Sequence, residues 1–158
     1  MTRVADIMTR DVICVRPEES VTEVISLLMK HQIAGAPVID AERELIGVIS
    51  EVDILRRLFP DYSEFISDIE GAMGFDFTDL KLTELCSLKV KDVMRSNPIA
   101  LAPEESVMKA CGMMVSHKIR RLPVVEQDTL RVVGIVSQGQ VFHEVLRLAV
   151  AKAPCSGP

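Results

Sequence analysis

The fold of this chain is decided by the stretch Gly47-Val48-Ile49-Ser50-Glu51-Val52-Asp53. An apolar run ends at a serine, and a carboxylate follows three residues later, where the pattern predicts the start of a helix. A related stretch, Gly134-Ile135-Val136-Ser137-Gln138-Gly139-Gln140, occurs in the second half of the chain, with Gln140 in place of the carboxylate. The sequence therefore contains two similar strand–helix junctions, and only one of them has an acidic side chain at this position.

The two junctions belong to a longer internal repeat. A shift of 86 residues aligns Val4–Asp40 with Val90–Glu126, and 13 of the 37 aligned positions are identical. The longest identical run pairs Pro17–Val21 with Pro103–Val107. Such similarity at a fixed spacing indicates a tandem duplication.

Each repeat has the pattern of an α/β (α+β) domain with elements in the order β-α-β-β-α. The predicted strands of the first repeat are Val12–Val15, Pro37–Ile39 and Leu45–Ile49. Helices are predicted to begin at Ser20, where Glu23 completes a capping-box pattern, and to run from Ser50 to about Leu58. The last helix of the second repeat is predicted over Val141–Val150.

These patterns predict a domain organisation of two repeats and an insert. We expect the first repeat over residues 1–58, a helical insert over 59–89, the second repeat over 90–150 and a flexible tail over 151–158. A repeat of about 55 residues is marginal alone, so we expect the two repeats to form a pseudo-twofold pair with clefts where they meet. Within the insert, Asp61–Met73 and Phe77–Leu88 have helical spacing, which suits either connecting helices or a docking arm for a partner.

Composition argues against several classes of protein. The net charge of −5 makes broad electrostatic binding to nucleic acid unexpected. No apolar run approaches the roughly 20 residues of a membrane span, and the N-terminus lacks a signal-peptide core. The four cysteines show no CxxC pair and no metal-ligand spacing. We therefore expect a cytoplasmic protein with no membrane association, no metal and no disulfide framework.

The sequence also lacks the patterns of a catalytic site. No nucleophile–base arrangement or phosphate loop is visible, so we expect neither an enzyme nor a cofactor. Asp6 and Asp92 recur through the duplication, and we interpret them as capping or turn residues rather than catalytic acids.

At the level of motifs, the chain resembles a tandem pair of CBS domains, an arrangement also called a Bateman module. Each repeat contains V-x-D-[IV]-M, P-E-E-S-V, H-x-I-x-x-x-P-V and G-[VI]-[IV]-S in the same order, and the match covers about two thirds of the chain. The resemblance implies a regulatory module with clefts that bind an adenosine compound such as AMP, ADP, ATP or S-adenosylmethionine. It also implies association into a disc-like homodimer.

The resemblance assigns ligand contacts to particular residues. It implies that Ser50 and Asp53 bind the ribose and phosphate of the ligand, while the opposite repeat supplies the other wall. The residues of that wall would be Pro98, Ile99 and Ile119 for adenine, with Arg120 and Arg121 for phosphate. A carboxylate accepts hydrogen bonds from both ribose hydroxyls, and a guanidinium suits a phosphate. The alternative for Ser50 and Asp53 is a helix cap that needs no ligand.

A second cleft is expected to be degenerate. It would combine Val12, Ile13, Ile33, Ala34, Ser137 and Gln140. The amide of Gln140 cannot accept from two hydroxyls as a carboxylate does, and Ala34 and Gly35 stand at the positions of Arg120 and Arg121. We expect this cleft to be empty or to take a less charged ligand, which predicts one nucleotide per chain.

Three functional hypotheses follow. The leading one is a regulatory module that senses an adenosine compound and signals by a conformational shift to a protein partner or a second module. The second is a scaffold that needs no ligand. The third is a partner regulator controlled through the thiol of Cys86 or Cys155.

Overall fold

The predicted fold class is confirmed. A computed structural model of the chain describes residues 1–59 and 82–154, with helices and antiparallel sheets in two tandem repeats. The predicted helix Asp61–Met73 lies outside the described residues, as do residues 155–158. Within the predicted helix Phe77–Leu88, a short helix at Leu82–Leu85 is described.

The described elements follow the duplication. In chain order they are α1 (Val4–Ile7), α2 (Val21–His31), β1 (Gly35–Ile39), β2 (Leu45–Ser50), α3 (Glu51–Leu58), α4 (Leu82–Leu85), α5 (Val90–Val93), β3 (Arg95–Ser96), α6 (Val107–His117), β4 (Arg121–Val125), β5 (Val132–Ser137) and α7 (Gln138–Lys152). Elements α1, α2, β1, β2 and α3 recur as α5, α6, β4, β5 and α7. The same motifs therefore fold into the same elements twice.

Helices α2 and α6 begin at the predicted serine caps. The Ser20 hydroxyl accepts a hydrogen bond from the Glu23 amide at 3.2 Å, and the Ser106 hydroxyl accepts from the Lys109 amide at 3.1 Å. The buried residues of α2 are Val21, Val24 and Leu28. Their spacing of three and four residues places them on one face, which packs into the core.

The chain divides into two compact units, each built on one repeat. The first-repeat unit contains Ile13–Pro98, and the second-repeat unit contains Met1–Val12 with Ile99–Pro158. The first-repeat unit has an antiparallel sheet in the order β1-β2-β3, and the second-repeat unit has the antiparallel pair β4-β5. Gly35 lies opposite Ser50 in the first sheet, and Arg121 lies opposite Ser137 in the second.

Each unit has its own apolar core. The core of the first-repeat unit consists of Val15, Val21, Val24, Leu28, Ala36, Val38, Ile49, Ile54, Leu58, Leu88 and Val90. The core of the second-repeat unit consists of Val4, Leu101, Val107, Ala110, Met114, Leu122, Val124, Val136 and Val141. In both units, buried aliphatic side chains from one sheet and its helices supply most of the stabilisation.

The segment that precedes each repeat packs in the unit of the other repeat. We call residues 1–12 and 90–98 the lead-in segments. The Val4 amide donates to the Glu105 carbonyl at 2.8 Å, and at the equivalent position the Val90 amide donates to the Glu19 carbonyl at 3.0 Å. Relative to the predicted repeats, 1–58 and 90–150, the compact units exchange these two segments, and they also take in the predicted insert, 59–89, and tail, 151–158.

A methionine of each lead-in segment packs on a glycine of the adjacent strand. A Cβ added at Gly47 would lie 2.9 Å from Met94 Sδ and 3.0 Å from the Arg95 carbonyl oxygen. A Cβ added at Gly134 would collide with Met8 Sδ. Neither glycine has a positive φ, so close approach of the lead-in segment, and not backbone conformation, requires glycine here.

The predicted first strand, Val12–Val15, is shorter in the structure. Only Val15 pairs with the sheet, as an isolated parallel bridge to Val38. Pro17 has no amide hydrogen with which to extend the ladder, and the turn at Arg10 precedes it. The first strand of the repeat is therefore reduced to a single bridged residue.

Helix α7 is longer than the predicted Val141–Val150. It begins at Gln138, directly after its cap residue Ser137, and ends at Lys152.

Glu144 is a buried carboxylate of α7. It is 8% exposed and accepts hydrogen bonds from Arg147 Nε at 2.8 Å and Arg147 Nη2 at 2.7 Å. The Thr2 hydroxyl donates to the same carboxylate at 2.8 Å. The guanidinium of Arg147 and then the Thr2 hydroxyl lower the pKa of Glu144 to about 2. This carboxylate ties the lead-in segment to α7.

No helix among residues 1–59 and 82–154 is long and apolar enough to cross a membrane. The same residues contain no group of three or more His, Cys, Asp or Glu side chains that would hold a metal ion. Cys86 is exposed, and Cys155 lies outside the described residues. The cytoplasmic location expected from the sequence stays a prediction.

The packing of Met94 on Gly47 predicts the effect of two substitutions. Gly47→Ala forces the lead-in segment away from β2, and we expect it to lower the free energy of unfolding by about 1–3 kcal/mol. Gly112→Ala is the control, because Gly112 is exposed in α6 with no atom within 4 Å of an added Cβ. There we expect a gain of about 0.5–1 kcal/mol from helix propensity. Chemical denaturation measures both changes, and equal stability of the two variants would contradict the packing described.

The lowered pKa of Glu144 predicts how stability depends on pH. An ionised carboxylate with a lowered pKa stabilises the folded state above its ordinary pKa of 4.5, and this contribution is lost as the pH falls toward about 2. We expect Glu144→Gln to be less stable than the unsubstituted chain at pH 7, with the difference shrinking below pH 4.5. Denaturation at several pH values measures it.

Glu18→Gln provides the matched control. Lys89 and Lys91 lower the pKa of Glu18 to about 2 as well, but the Glu18 side chain is 62% exposed. Salt screens exposed ion pairs, so we expect added salt to remove the effect of Glu18→Gln and to leave most of the effect of Glu144→Gln. Equal sensitivity of the two variants to salt would count against the role assigned to Glu144.

Candidate functional site

Ser50 and Asp53 form a closed hydrogen-bonded junction between β2 and α3. Ser50 is the N-cap of α3, and its hydroxyl oxygen accepts from the Asp53 amide at 3.3 Å. Oxygen Oδ2 of Asp53 accepts from the Ser50 amide at 3.0 Å and from the Ser50 hydroxyl at 2.7 Å. The helix-cap alternative considered for these residues is thus present in the structure.

Asp53 is a buried carboxylate with one oxygen less used than the other. The residue is 8% exposed. Its Oδ1 lies 3.3 Å from Arg95 Nε. Among the described residues, Arg95 is the single side-chain partner of this oxygen. Since a carboxylate oxygen has two lone pairs, Oδ1 keeps the capacity to accept another hydrogen bond.

Arg95 reaches Asp53 from the lead-in segment of the second repeat. It lies in β3, directly opposite Val48 in β2, two residues before the serine that caps α3. Arg95 was not among the site residues predicted from the sequence. The signal that would have found it is the alignment of the repeats, in which Arg95 and Asp53 correspond to Thr9 and Gln140, so that both partners of the contact change together.

The second junction has the same cap with neutral partners. The Gln140 Oε1 accepts from the Ser137 amide at 2.8 Å and from the Ser137 hydroxyl at 3.1 Å. The Gln140 Nε2 donates to the Ile7 carbonyl and to the Thr9 hydroxyl, each at 3.1 Å. Both ends of this amide are therefore occupied within the second-repeat unit.

The other predicted wall residues lie in both compact units. Ser50, Asp53 and Pro98 belong to the first-repeat unit, where the half-buried Ile13, Ile33 and Ala34 are also found. The second-repeat unit contains the half-buried Val12, Ile99, Ile119 and Arg121, the exposed Arg120, and Ser137 with Gln140. The assembly of either predicted cleft from these residues stays a prediction.

Backbone hydrogen bonds place some wall residues beside a junction of their own unit. The Glu51 amide at the start of α3 donates to the Ala34 carbonyl at 2.9 Å. In the second-repeat unit the Gln138 amide donates to the Arg120 carbonyl at 2.7 Å. The structure therefore brings Ala34 next to Ser50, and Arg120 next to Ser137.

A shallow, open depression of about 230 Å³ adjoins Asp53 in the first-repeat unit. Its lining residues are Asp53, Arg56, Arg57, Asp92 and Val93. Only Asp53 among them was predicted as a site residue. The lining thus contains two arginines of α3 and a second carboxylate, Asp92, in addition to Asp53.

Comparison with known proteins places these features in a family. A family model of the CBS domain matches residues 4–60 and 90–147. The chain is similar to CBSX2 of Arabidopsis thaliana, solved in complex with AMP, with 28% identity, a TM-score of 0.70 and coverage of 94% of this chain and 99% of that chain. It is also similar to the CBS domain pair of protein MJ0100, solved with 5′-methylthioadenosine and S-adenosyl-L-methionine, with 25% identity, a TM-score of 0.67 and coverage of 96% and 98%.

Some relatives are much longer than the matched region. The inosine-5′-monophosphate dehydrogenase of Korarchaeum cryptofilum is 32% identical over 141 residues, which cover 89% of this chain and 24% of that enzyme. The match to the full sequence of CBSX2 spans 64% of its length. The similarity to these longer relatives is confined to the matched region. The two family-model matches cover most of this chain. The chain therefore belongs to the CBS domain family as a tandem pair of CBS domains.

Proposed function

We propose that this chain is a regulatory module that binds an adenosine compound at Ser50 and Asp53 and signals the binding to a protein partner or a second module. The observation that carries the proposal is the buried carboxylate of Asp53, whose Oδ1 keeps the capacity to accept another hydrogen bond. The complexes of CBSX2 with AMP and of the MJ0100 pair with S-adenosyl-L-methionine support the adenosine class.

In this proposal, Asp53 recognises the ribose. A ribose hydroxyl donates to Oδ1, since Oδ2 already accepts two hydrogen bonds from Ser50. Adenine packs against the apolar surfaces of Pro98, Ile99 and Ile119. The guanidinium groups of Arg120 and Arg121 bind phosphate through paired donors.

The second cleft is proposed to bind no nucleotide. Gln140 uses its oxygen for the cap and its nitrogen for the lead-in segment, so a ribose would have to break bonds to Ile7 or Thr9. The other residues assigned to this cleft are uncharged: Val12, Ile13, Ile33 and Ala34. The proposal therefore includes one nucleotide per chain.

The signal is proposed to arise as a population shift. A ligand held by residues of both repeats favours the arrangement of the repeats in which all its contacts are made, and a partner that binds this arrangement better is recruited or released. The size of the response is limited by the difference in ligand affinity between the two arrangements.

A homodimer is proposed as the form in which the module acts. Leu146 and Val150 are exposed on α7, four residues apart and on one face, and Val52 and Leu55 are exposed on α3. Exposed apolar side chains at helical spacing are typical of surfaces that associate. Sedimentation of the chain with Leu146→Glu and Val150→Glu, compared with the unsubstituted chain, tests this part of the proposal.

A scaffold that needs no ligand is the second candidate function. The closed capping box of Ser50 and Asp53 favours it, because it gives both side chains a stabilising role by themselves. Control through a thiol stays a prediction for Cys86, which is exposed.

The substitution Asp53→Asn tests the ligand-binding role. The amide keeps the shape of the side chain and an oxygen that accepts from Ser50, but it removes the charge that strengthens the bond to a ribose hydroxyl. We expect AMP affinity to fall by about tenfold or more, as measured by isothermal titration calorimetry. Asp6→Asn is the matched control, because Asp6 has the same capping position in α1, where its Oδ2 accepts from the Arg3 amide at 2.8 Å.

The same titration measures stoichiometry, and we expect one AMP per chain. Unchanged AMP affinity in Asp53→Asn would reject the assignment of the site. Two equivalent sites would reject the degenerate second cleft. Absence of binding by AMP, ADP, ATP and S-adenosylmethionine would favour the scaffold.

A further inference from the structure

We propose that Arg95 makes the Ser50–Asp53 site selective by charge, favouring adenosine compounds that carry a 5′ phosphate over those with a neutral or cationic 5′ group. This inference rests on the proposed function, and it adds a residue that determines which adenosine compound is bound. It depends on three features of the first-repeat unit: the open oxygen of Asp53, the position of the Arg95 guanidinium, and the contrast with the second repeat.

The first feature is the carboxylate oxygen of Asp53 that is available to a ligand. Oxygen Oδ2 is occupied by the amide and hydroxyl of Ser50 at 3.0 and 2.7 Å. A ribose hydroxyl is therefore accepted by Oδ1, which lies 3.3 Å from Arg95 Nε. Any ligand that binds Asp53 in this way has the guanidinium as its immediate neighbour.

The second feature is the exposure of that guanidinium. Its side chain is 58% exposed, and Asp53 is its one side-chain partner within residues 1–59 and 82–154. Its Nε lies 3.3 Å from Asp53 Oδ1. In this proposal the N–H groups of the terminal nitrogens are the donors that bind an anion. The backbone of Arg95 is fixed by its pairing with Val48, which keeps the charge beside the site.

The third feature is that the second repeat attaches its lead-in segment through a neutral side chain. In the second repeat, the equivalent contact joins the Gln140 amide nitrogen to the Thr9 hydroxyl at 3.1 Å, and the same nitrogen donates to the Ile7 carbonyl at 3.1 Å. Attachment of a lead-in segment at this junction therefore does not by itself require an arginine. Arg95 adds a positive charge to the first junction, while both junctions keep the same serine cap.

These features act on the group attached to the ribose. AMP, 5′-methylthioadenosine and S-adenosylmethionine share adenine and ribose, and they differ at the 5′ position, which is anionic, neutral and cationic in turn. A guanidinium beside the ribose stabilises a phosphate through charge-assisted hydrogen bonds and repels a sulfonium. Arg95 therefore ranks the three compounds by charge.

Titration calorimetry of Arg95→Gln with these three compounds tests the proposal. We expect AMP affinity to fall by about tenfold, with less than about a twofold change for 5′-methylthioadenosine. S-adenosylmethionine is expected to bind at least as tightly as before. Arg95→Lys keeps the charge and is expected to retain most of the preference for AMP.

Arg43→Gln is the matched control, because it removes the same charge near the end of β2 that is far from the junction. Arg43 is exposed in the turn between β1 and β2, and the six residues of β2 separate it from the junction by about 17 Å. We expect its affinities for all three compounds to match those of the unsubstituted chain.

Two results would overturn the role of Arg95 while leaving the proposed function intact. If Arg95→Gln strengthened all three compounds equally, Arg95 would only compete with the ribose for Asp53. If it weakened all three equally, Arg95 would only position Asp53. Failure of the unsubstituted chain to bind any of the three would reject the proposed function itself.

Discussion

Close contact between a lead-in methionine and a strand glycine sets the geometry of each strand–helix junction. In the first-repeat unit, Met94 lies against the bare backbone of Gly47, so the following residue, Arg95, comes near enough to pair with Val48. This pairing places the guanidinium of Arg95 next to the carboxylate of Asp53, with Nε 3.3 Å from Oδ1. With a side chain at position 47, the lead-in segment would be displaced, and the electrostatics of the junction would change with it.

The two repeats use one architecture to surround two different side chains. A buried carboxylate is costly unless donors and a cation compensate for its lost hydration. At Asp53, Ser50 supplies the donors and Arg95 the cation. At Gln140, a neutral amide satisfies the cap with its oxygen and the lead-in segment with its nitrogen. One junction therefore keeps a charged oxygen that can accept another hydrogen bond, while both ends of the amide at the other junction are occupied within the second-repeat unit.

Local patterns predicted most of the fold. The duplication, the cap at Ser20 and the strands on either side of the turn before Leu45 all depend on neighbouring residues, and all are present in the structure. The caps at Ser50 and Ser137 were readable for the same reason. The strand Val12–Val15 was overestimated because its apolar pattern does not reveal that a turn and a proline leave room for only one bridge.

The long-range pairing of each lead-in segment with a repeat could not be predicted from the sequence. Both lead-in segments contain the same V-x-D-[IV]-M motif, so the motif does not show which repeat each one packs with. The contact of Arg95 with Asp53 depends on that choice, since the two residues are 42 positions apart in the chain (95 − 53). For the same reason Arg56 and Arg57 were not recognised as neighbours of Asp53, because the depression that they line lies between α3 and α5, which are far apart in the sequence.

The exchange of lead-in segments also suggests how such a chain arose. A solitary repeat would leave the strand beside its glycine uncovered and its own lead-in segment without a partner strand. An ancestral protein with a single repeat would satisfy both by swapping this segment between two identical molecules. Fusion of two such genes would convert a swap between subunits into one within a single chain. After fusion the two junctions are encoded separately, so one can retain an ionic pair while its sister evolves into a permanent internal bond.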